Sequence, residues 1–233
     1  MKRTLMLLIL LLTSCVNSSI SNKNIFFKGT FLKVEKRITL TACNPLNINN
    51  CMTKTYESSA SSFLVKHSYN KSYFITAAHV CVADVGKLAT LPKFKSTEEV
   101  YGIDLKGRKY KYEIVAVNRL YDLCLLSTGR MNAKAYSVAS RMPQRGEKVF
   151  NLAAPVGIFE RRLVPLFDGF YSGQAHGRSI YTLPATGGSS GSPVLNSCGQ
   201  VVGMVSAVTK GFSHIVISPT LAQIQEFIQN EKL

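Results

Sequence analysis

The sequence is short of acidic residues, with 13 Asp and Glu against 28 Lys and Arg in 233 positions, which leaves a net charge of +15. It has no Cys-x-x-Cys pair and no His/Cys grouping at metal-ligand spacing, so zinc and thioredoxin-like chemistries are excluded. No cofactor or metal is expected. It also has no long apolar run. Leu5 to Leu12, behind Lys2 and Arg3, falls well short of the roughly 20 residues that cross a bilayer and reads as the core of a signal peptide over residues 1–14. Long repeats and heptads are absent too, which excludes solenoids and coiled coils. What is present is 46% hydrophobic and only 18% charged residues, enough for a real core and incompatible with disorder.

Taking Lys2 and Arg3 out of the +15 leaves +13 on the mature chain, enough to attract acidic partners at long range. Anionic lipid headgroups, lipopolysaccharide and other anionic envelope surfaces fit. The basic residues are scattered (Lys93 and Lys95, Lys106 to Lys111, Arg161 and Arg162) without interleaved aromatics, so nucleic acid is not an expected partner. Leu12-Thr13-Ser14-Cys15 resembles a bacterial lipobox, which implies lipidation of Cys15 and a membrane anchor. Val16, not acidic, resembles the sorting position of outer-membrane lipoproteins, and residues 15–24 then form a polar tether on the periplasmic side. Ordinary signal cleavage nearby is the alternative; it leaves Cys15 incidental and the protein secreted.

Without Cys15 five cysteines remain, an odd number, so at least one is expected to be free or bridged to another chain. Cys43 and Cys51 bracket the turn-rich NPLNINN and are the first choice for a local disulfide. Cys81 and Cys124 lie in apolar runs and read as a second pair or as buried thiols.

Short β-branched and aromatic runs follow one another from Phe63-Leu-Val65 and Tyr73-Phe-Ile-Thr76 to Val201–Val208 and Phe212–Ile217, separated by turn residues. Such spacing predicts an all-β sandwich or barrel. The polar segment from Ser127 to Arg145 divides the chain into halves, 25–130 and 131–233. One helix is predicted at the end, capped by Ser218, with Pro219 in its first turn and Leu221, Ile224, Phe227 and Ile228 on one face.

Chemistry concentrates in Thr186-Gly-Gly-Ser-Ser-Gly-Ser-Pro-Val-Leu-Asn196, a glycine turn between two predicted strands. Gly187 to Gly191 matches the Gly-x-Ser-x-Gly elbow, with Ser189 as nucleophile. That elbow needs a following helix and then an acid and a histidine; Pro193 and its β-branched neighbours oppose the helix, and no Asp follows Ser190. Gly188-Ser-Ser-Gly-Ser-Pro193 selects Ser190 instead. Upstream stand Ile75-Thr-Ala-Ala-His79 and Asn118-Arg-Leu-Tyr-Asp122-Leu-Cys-Leu-Leu126. A serine hydroxyl needs a base to take its proton and a third group to orient that base, and His79 and Asp122 supply the types required. Asp84 lies too near His79 in sequence to serve, and Asp104 sits in a Gly-rich polar hairpin. His67 and His176 read as solvated surface groups, and Ser189 and Ser192 as turn formers.

These three stretches, in the order His, Asp, Ser, resemble the catalytic segments of chymotrypsin-like serine proteases. Arg145 to Gly157 is similar to a strand of the HtrA and V8-like branches. The resemblance runs from about Ser58 to the end. It implies two perpendicular six-stranded Greek-key barrels with the site between them, a C-terminal helix, and no PDZ domain. It further implies a serine endopeptidase acting on polypeptides, with the backbone N–H groups of Gly188 and Ser190 as oxyanion hole. Ser189 stands where trypsin-like zymogens carry Asp, so activation by a newly cut N-terminus is not expected. By the same resemblance the substrate pocket falls at Pro184, Ala185, Ser206, Ala207, Val208 and His214. No acid lies at its floor, which gives no support to a preference for Lys or Arg; Val208 would narrow it toward small apolar side chains, and His214 reads either as a polar contact or as a strand residue facing solvent. The rival functions are an idle binding protein on the same fold, holding acidic envelope components, and a serine esterase.

Overall fold

The computed structural model describes Phe27, Thr90 and residues 29–44, 46–82 and 93–230. The predicted signal peptide, the lipobox with Cys15, the tether and Asp84 lie outside the described residues.

Seven strands make the first antiparallel sheet: β1 (Phe31–Asn44), β2 (Asn47–His67), β3 (Lys71–Thr76), β4 (Lys95–Ile103), β5 (Lys109–Lys111), β6 (Glu113–Asn118) and β7 (Leu123–Gly129). Their spatial order is β5-β4-β1-β2-β3-β7-β6. The second sheet holds β8 (Lys148–Leu152), β9 (Leu166–Ala175), β10 (Arg178–Thr182), β11 (Pro193–Leu195), β12 (Val201–Met204), β13 (Ala207–Thr209) and β14 (Phe212–Ser218), ordered β12-β11-β8-β9-β10-β14-β13. In both, the two ends of the order are consecutive in the chain. β5 and β6 are separated only by Tyr112, whose amide still bonds Val100 O at 2.9 Å. β12 and β13 are separated by Val205 and Ser206, whose amides bond Ser192 O and Ile217 O. One bent segment therefore serves both ends of each sheet, so seven strands by count form the six-segment curl of a chymotrypsin-like barrel.

Side-chain alternation explains the curl. Leu32 and Val34 of β1, Phe63 of β2, Phe74 of β3 and Leu125 of β7 fill one core; Val149, Tyr181, Val194, Val202 and Val216 fill the other. Tyr181 is fully buried, with its hydroxyl bonded to Val202 O at 2.8 Å, so an aromatic body is accommodated without an orphaned polar atom.

The predicted helix is α2, following the short turn α1 (Ala78–Cys81), and spans Leu221–Asn230. Leu221, Ile224 and Phe227 are buried and Ile228 packs beside them. Its cap is Thr220, not Ser218. Thr220 Oγ1 accepts from Gln223 N at 3.2 Å and Gln223 Oε1 accepts from Thr220 N at 2.9 Å, a reciprocal capping box. Ser218 lies two residues too early: it is still in β14, and its hydroxyl accepts from Met204 N and donates to Pro219 O. No described helix is long and apolar enough to cross a membrane.

Disulfides join Cys43 to Cys51 near the tip of the β1–β2 hairpin and Cys81 to Cys124 behind α1. Cys198 is disulfide-bonded as well, and no cysteine among the described residues is free.

Candidate active site

β3 runs buried from Ser72 to Thr76, and α1 then turns the chain outward. Ala78, Val80 and Cys81 pack inward, while the His79 side chain is 52% exposed. Asp122 lies behind it, its side chain 19% exposed. His79 Nδ1 is 3.1 Å from both carboxylate oxygens. An ionised carboxylate only accepts, so Nδ1 carries the proton and Nε2 keeps a lone pair facing outward. The backbone locks the pair: His79 N donates to Asp122 Oδ1 and Ala78 N to Asp122 O, both at 3.1 Å.

Asp122 ends the turn between β6 and β7 at φ +56, a left-handed conformation that Asp tolerates better than most residues. Asn118 Oδ1 accepts from Tyr121 N at 3.0 Å inside this turn. From the other sheet, Arg178 of β10 donates Nη1 to Tyr121 O at 2.8 Å and Nη2 to Leu120 O at 2.6 Å. Ser206 Oγ donates to Asp122 Oδ2 in a short bond. Burial pushes the carboxyl of Asp122 up, but the bonds from His79 and Ser206 and the electrostatic attraction of the His79 ring outweigh it and hold the group below its ordinary value.

The three serines of the glycine turn separate by their partners. Ser189 is buried, and its hydroxyl accepts from Thr186 N at 3.3 Å. Ser192 is buried, and its hydroxyl accepts from Asn151 Nδ2 at 2.7 Å. Ser190 is half-buried, and its hydroxyl takes no partner among the described residues. The same is true of the His79 Nε2 atom. Ser190 is held by its backbone: Ser61 N donates to Ser190 O at 2.8 Å, and Thr76 Oγ1, three residues before His79, donates to Ser61 O at 2.8 Å. Ser61 thus links the glycine turn to the strand that leads to His79.

Gly188 and Gly191 are required by position. Gly188 has φ +91, and a Cβ there would overlap Ala154 O; Gly191 has φ +84, and a Cβ would overlap Ser61 O and Thr76 Oγ1. The Gly188 carbonyl accepts from Ser61 Oγ at 2.9 Å, which turns the peptide away from the cleft. Ser61 Oγ accepts in turn from Ala154 N at 3.1 Å, and Val156 N donates to Gly187 O at 2.6 Å. Neither the Gly188 nor the Ser190 amide has a partner among the described residues, so both donors remain available to an oxyanion.

The expected pocket residues are spread around this centre. Ala185 is buried and Pro184 half-buried on the segment leading to the nucleophile turn. Ser206 turns toward Asp122 rather than outward. Ala207 is exposed on β13, while Val208 is half-buried against the second core. His214 is exposed on β14, its ring 5.7 Å from that of Phe212. Among the other histidines, His67 is not a solvated group: its ring nitrogens contact Ser72 Oγ at 2.9 Å and Ala133 O at 2.8 Å. His176 is exposed in the β9–β10 turn. Asp104 organises its hairpin, accepting from the amides of Lys106 and Arg108, from Arg108 Nε and from Tyr110 OH. No group of His, Cys, Asp or Glu among the described residues could hold a metal ion.

Ser61, Asn151 and Arg178 escaped the sequence reading. Asn151 carried a signal, as a polar residue inside the apolar strand Lys148-Val-Phe-Asn-Leu152. Ser61 and Arg178 carried none, because Gly188, which Ser61 Oγ bonds, and Tyr121, which Arg178 bonds, lie more than 50 residues away from them.

No curated protein matches the chain. Among solved structures, the serine endoprotease from Yersinia pestis is similar in fold, with a TM-score of 0.61 at 16% identity. That match covers 83% of this chain and 61% of the other, so the chain spans about three fifths of that protease. The model of the trypsin-like peptidase domain matches residues 60–204, from the strand that holds Ser190 to the strand beyond it. With two chymotrypsin-like barrels and this match over more than half its length, the chain belongs to the trypsin-like peptidase family.

Proposed function

We propose that the protein is a serine endopeptidase in which His79, Asp122 and Ser190 act as the catalytic triad. The observation that carries this reading is the His79–Asp122 pair with Nε2 left open, beside a glycine turn in which, of three serines, Ser190 alone keeps its hydroxyl without a partner among the described residues. His79 Nε2 takes the proton as Ser190 Oγ attacks the peptide carbonyl, and Asp122 stabilises the imidazolium that forms. The Gly188 and Ser190 amides receive the oxyanion. The intermediate collapses by breaking the C–N bond, the amine leaves with the proton from His79, and water releases the acyl group by the same steps in reverse. Polypeptides are the substrates, and no metal or cofactor is needed for this sequence of proton transfers.

The signal-like N-terminus and the lipobox support a place in the bacterial cell envelope, with the chain tethered through Cys15 to the periplasmic side of the outer membrane. The +13 charge left once Lys2 and Arg3 are removed from the +15 supports residence near anionic envelope surfaces.

Labelling by a fluorophosphonate probe tests the chemistry. The wild-type chain is expected to label and Ser190→Ala to remain unlabelled. Equal labelling of both removes Ser190 from the mechanism, and labelling of neither favours the idle binding protein. Activity on acyl esters with none on peptides identifies an esterase.

A further inference from the structure

A groove of about 180 Å³ opens between the two barrels, and no member of the candidate triad lines it. The first barrel and the segment that follows it contribute Phe31 at the start of β1, Leu105 in the β4–β5 turn and Tyr136. The second barrel contributes Leu152 at the end of β8 and Val164 ahead of β9. Phe27 lines it too and remains 43% exposed.

The polar groups along this wall are already used. Thr30 N donates to Lys134 O at 2.8 Å, and Thr30 O accepts from Leu64 N at 2.9 Å. Asp104 N donates to Arg108 O at 3.1 Å, and its carbonyl accepts from Gly107 N at 2.8 Å. The Asp104 carboxylate takes four bonds, from the amides of Lys106 and Arg108, from Arg108 Nε and from Tyr110 OH. Leu105 O accepts from Arg162 N at 3.2 Å. A peptide laid against these groups would leave its own amides and carbonyls unbonded, and each one costs free energy. An alkyl chain has none to leave.

The rim is cationic. Lys106, Lys134, Arg161 and Arg162 are exposed on the three segments that frame the groove, and none of their side chains has a partner among the described residues. Arg108 balances Asp104, so Glu160 is the one acid on these segments without a side-chain partner. Four cations against one acid, beside an apolar slot, suit an apolar chain that ends in an anion. We propose that the groove between the barrels binds a fatty-acid carboxylate, its alkyl chain between Leu105 and Val164 and its head toward Lys106 and Arg162. The size of the groove suits one chain rather than the two of a phospholipid. Because both barrels line it, an occupant adds contacts to each that only the folded chain offers, and the thermal midpoint should rise with ligand concentration.

The test uses the mature chain and isothermal titration calorimetry at pH 8, where the ligand carboxylate is ionised. Each ligand is kept below its micelle concentration. Octanoate, decanoate and dodecanoate form the alkyl series. A methylene removed from water is worth about fourfold in affinity, so dodecanoate is expected to bind about tenfold or more tighter than octanoate. Dodecyltrimethylammonium, with the same chain and the opposite charge, should bind about tenfold weaker than dodecanoate. Lys106→Glu combined with Arg162→Asn should weaken dodecanoate by a similar factor; asparagine suits the φ of +65 at position 162. Phe27→Ser, at an exposed position that leaves the core intact, should weaken it about tenfold. Absence of dodecanoate binding, equal affinity for the two head charges, or unchanged affinity in both variants overturns the proposal. Dodecanoate bound only after Ile25→Ser and Phe26→Ser overturns it in favour of this chain's own preceding segment as the occupant. Binding to phosphatidylglycerol vesicles with none to free dodecanoate overturns it in favour of a membrane surface. A concentration-dependent dimer that Phe27→Ser dissolves, with no dodecanoate bound, overturns it in favour of a second copy.

Discussion

Cys81 and Cys124 are disulfide-bonded, and each lies two residues beyond one member of the His79–Asp122 pair. The bond staples α1 to β7 directly behind the site. Two chain segments 43 residues apart are thereby kept in register, independently of the hydrogen bonds between the side chains.

Replacing both cysteines by alanine should cost roughly 2–4 kcal/mol of stability, the range for a loop of this length. Because Cys81 and Cys124 are 1% and 0% exposed, mild reductant should leave the native protein active. Chemical denaturation of the double variant, with thiol titration of the native wild type, checks both outcomes.

Arg178 joins the barrels at the Asp122 turn through two charge-assisted bonds to carbonyls. Arg178→Ala should loosen that turn and lower kcat about tenfold with KM little changed, because the residue bonds the carbonyls of the Asp122 turn and none of the expected pocket residues. Arg178→Lys, which can reach only one carbonyl at a time, should recover part of the loss. Steady-state kinetics on one peptide separates the three proteins.

Asp122→Asn should lower kcat by about 10⁴, since an amide no longer fixes the Nδ1 proton or stabilises the imidazolium. The pH dependence of stability follows from the lowered carboxyl. Unfolded Asp binds its proton at about pH 4 and folded Asp122 only at lower pH, so its stabilisation is full above that range and lost as pH falls through the folded value. The difference in unfolding free energy between wild type and Asp122→Asn should be flat from about pH 5 upward and shrink below about pH 4.

Gly188→Ala must displace the turn, since the added Cβ meets Ala154 O and φ is +91. Loss of one oxyanion donor predicts a fall in kcat of about 10² to 10³ with labelling of Ser190 slowed in parallel. Retention of full activity would show that the Gly188 amide receives no charge.

Lipidation of Cys15 would consume its thiol. Cys43 with Cys51 and Cys81 with Cys124 already consume each other, which leaves Cys198 no unlipidated cysteine in its own chain. The lipid-anchored form should therefore carry Cys198 either reduced or bonded to a second chain. Intact mass under non-reducing conditions decides: a monomer without acyl mass and without free thiols would remove the anchor.

The glycine turn was legible because its constraints are local. Glycines at positive φ and small buried serines must appear as letters in order, and they do in Gly188 to Ser192. The helix cap was misplaced by two residues because Ser218, Pro219 and Thr220 all suit a helix start. Only the reciprocal Thr220–Gln223 bonds select among them. His67 looked solvated because its sequence neighbours are polar, while the carbonyl that accepts from or abuts its ring belongs to Ala133, 66 residues on.

The residues by themselves determined the chemistry available: one histidine, one aspartate and one serine in segments whose neighbours suit strand, turn and glycine loop. Tertiary structure alone decided which hydroxyl stays free, which arginine braces the acid, and where a groove opens between the barrels. Those are outcomes of register and barrel closure, and they depend on backbone groups that every sequence carries alike.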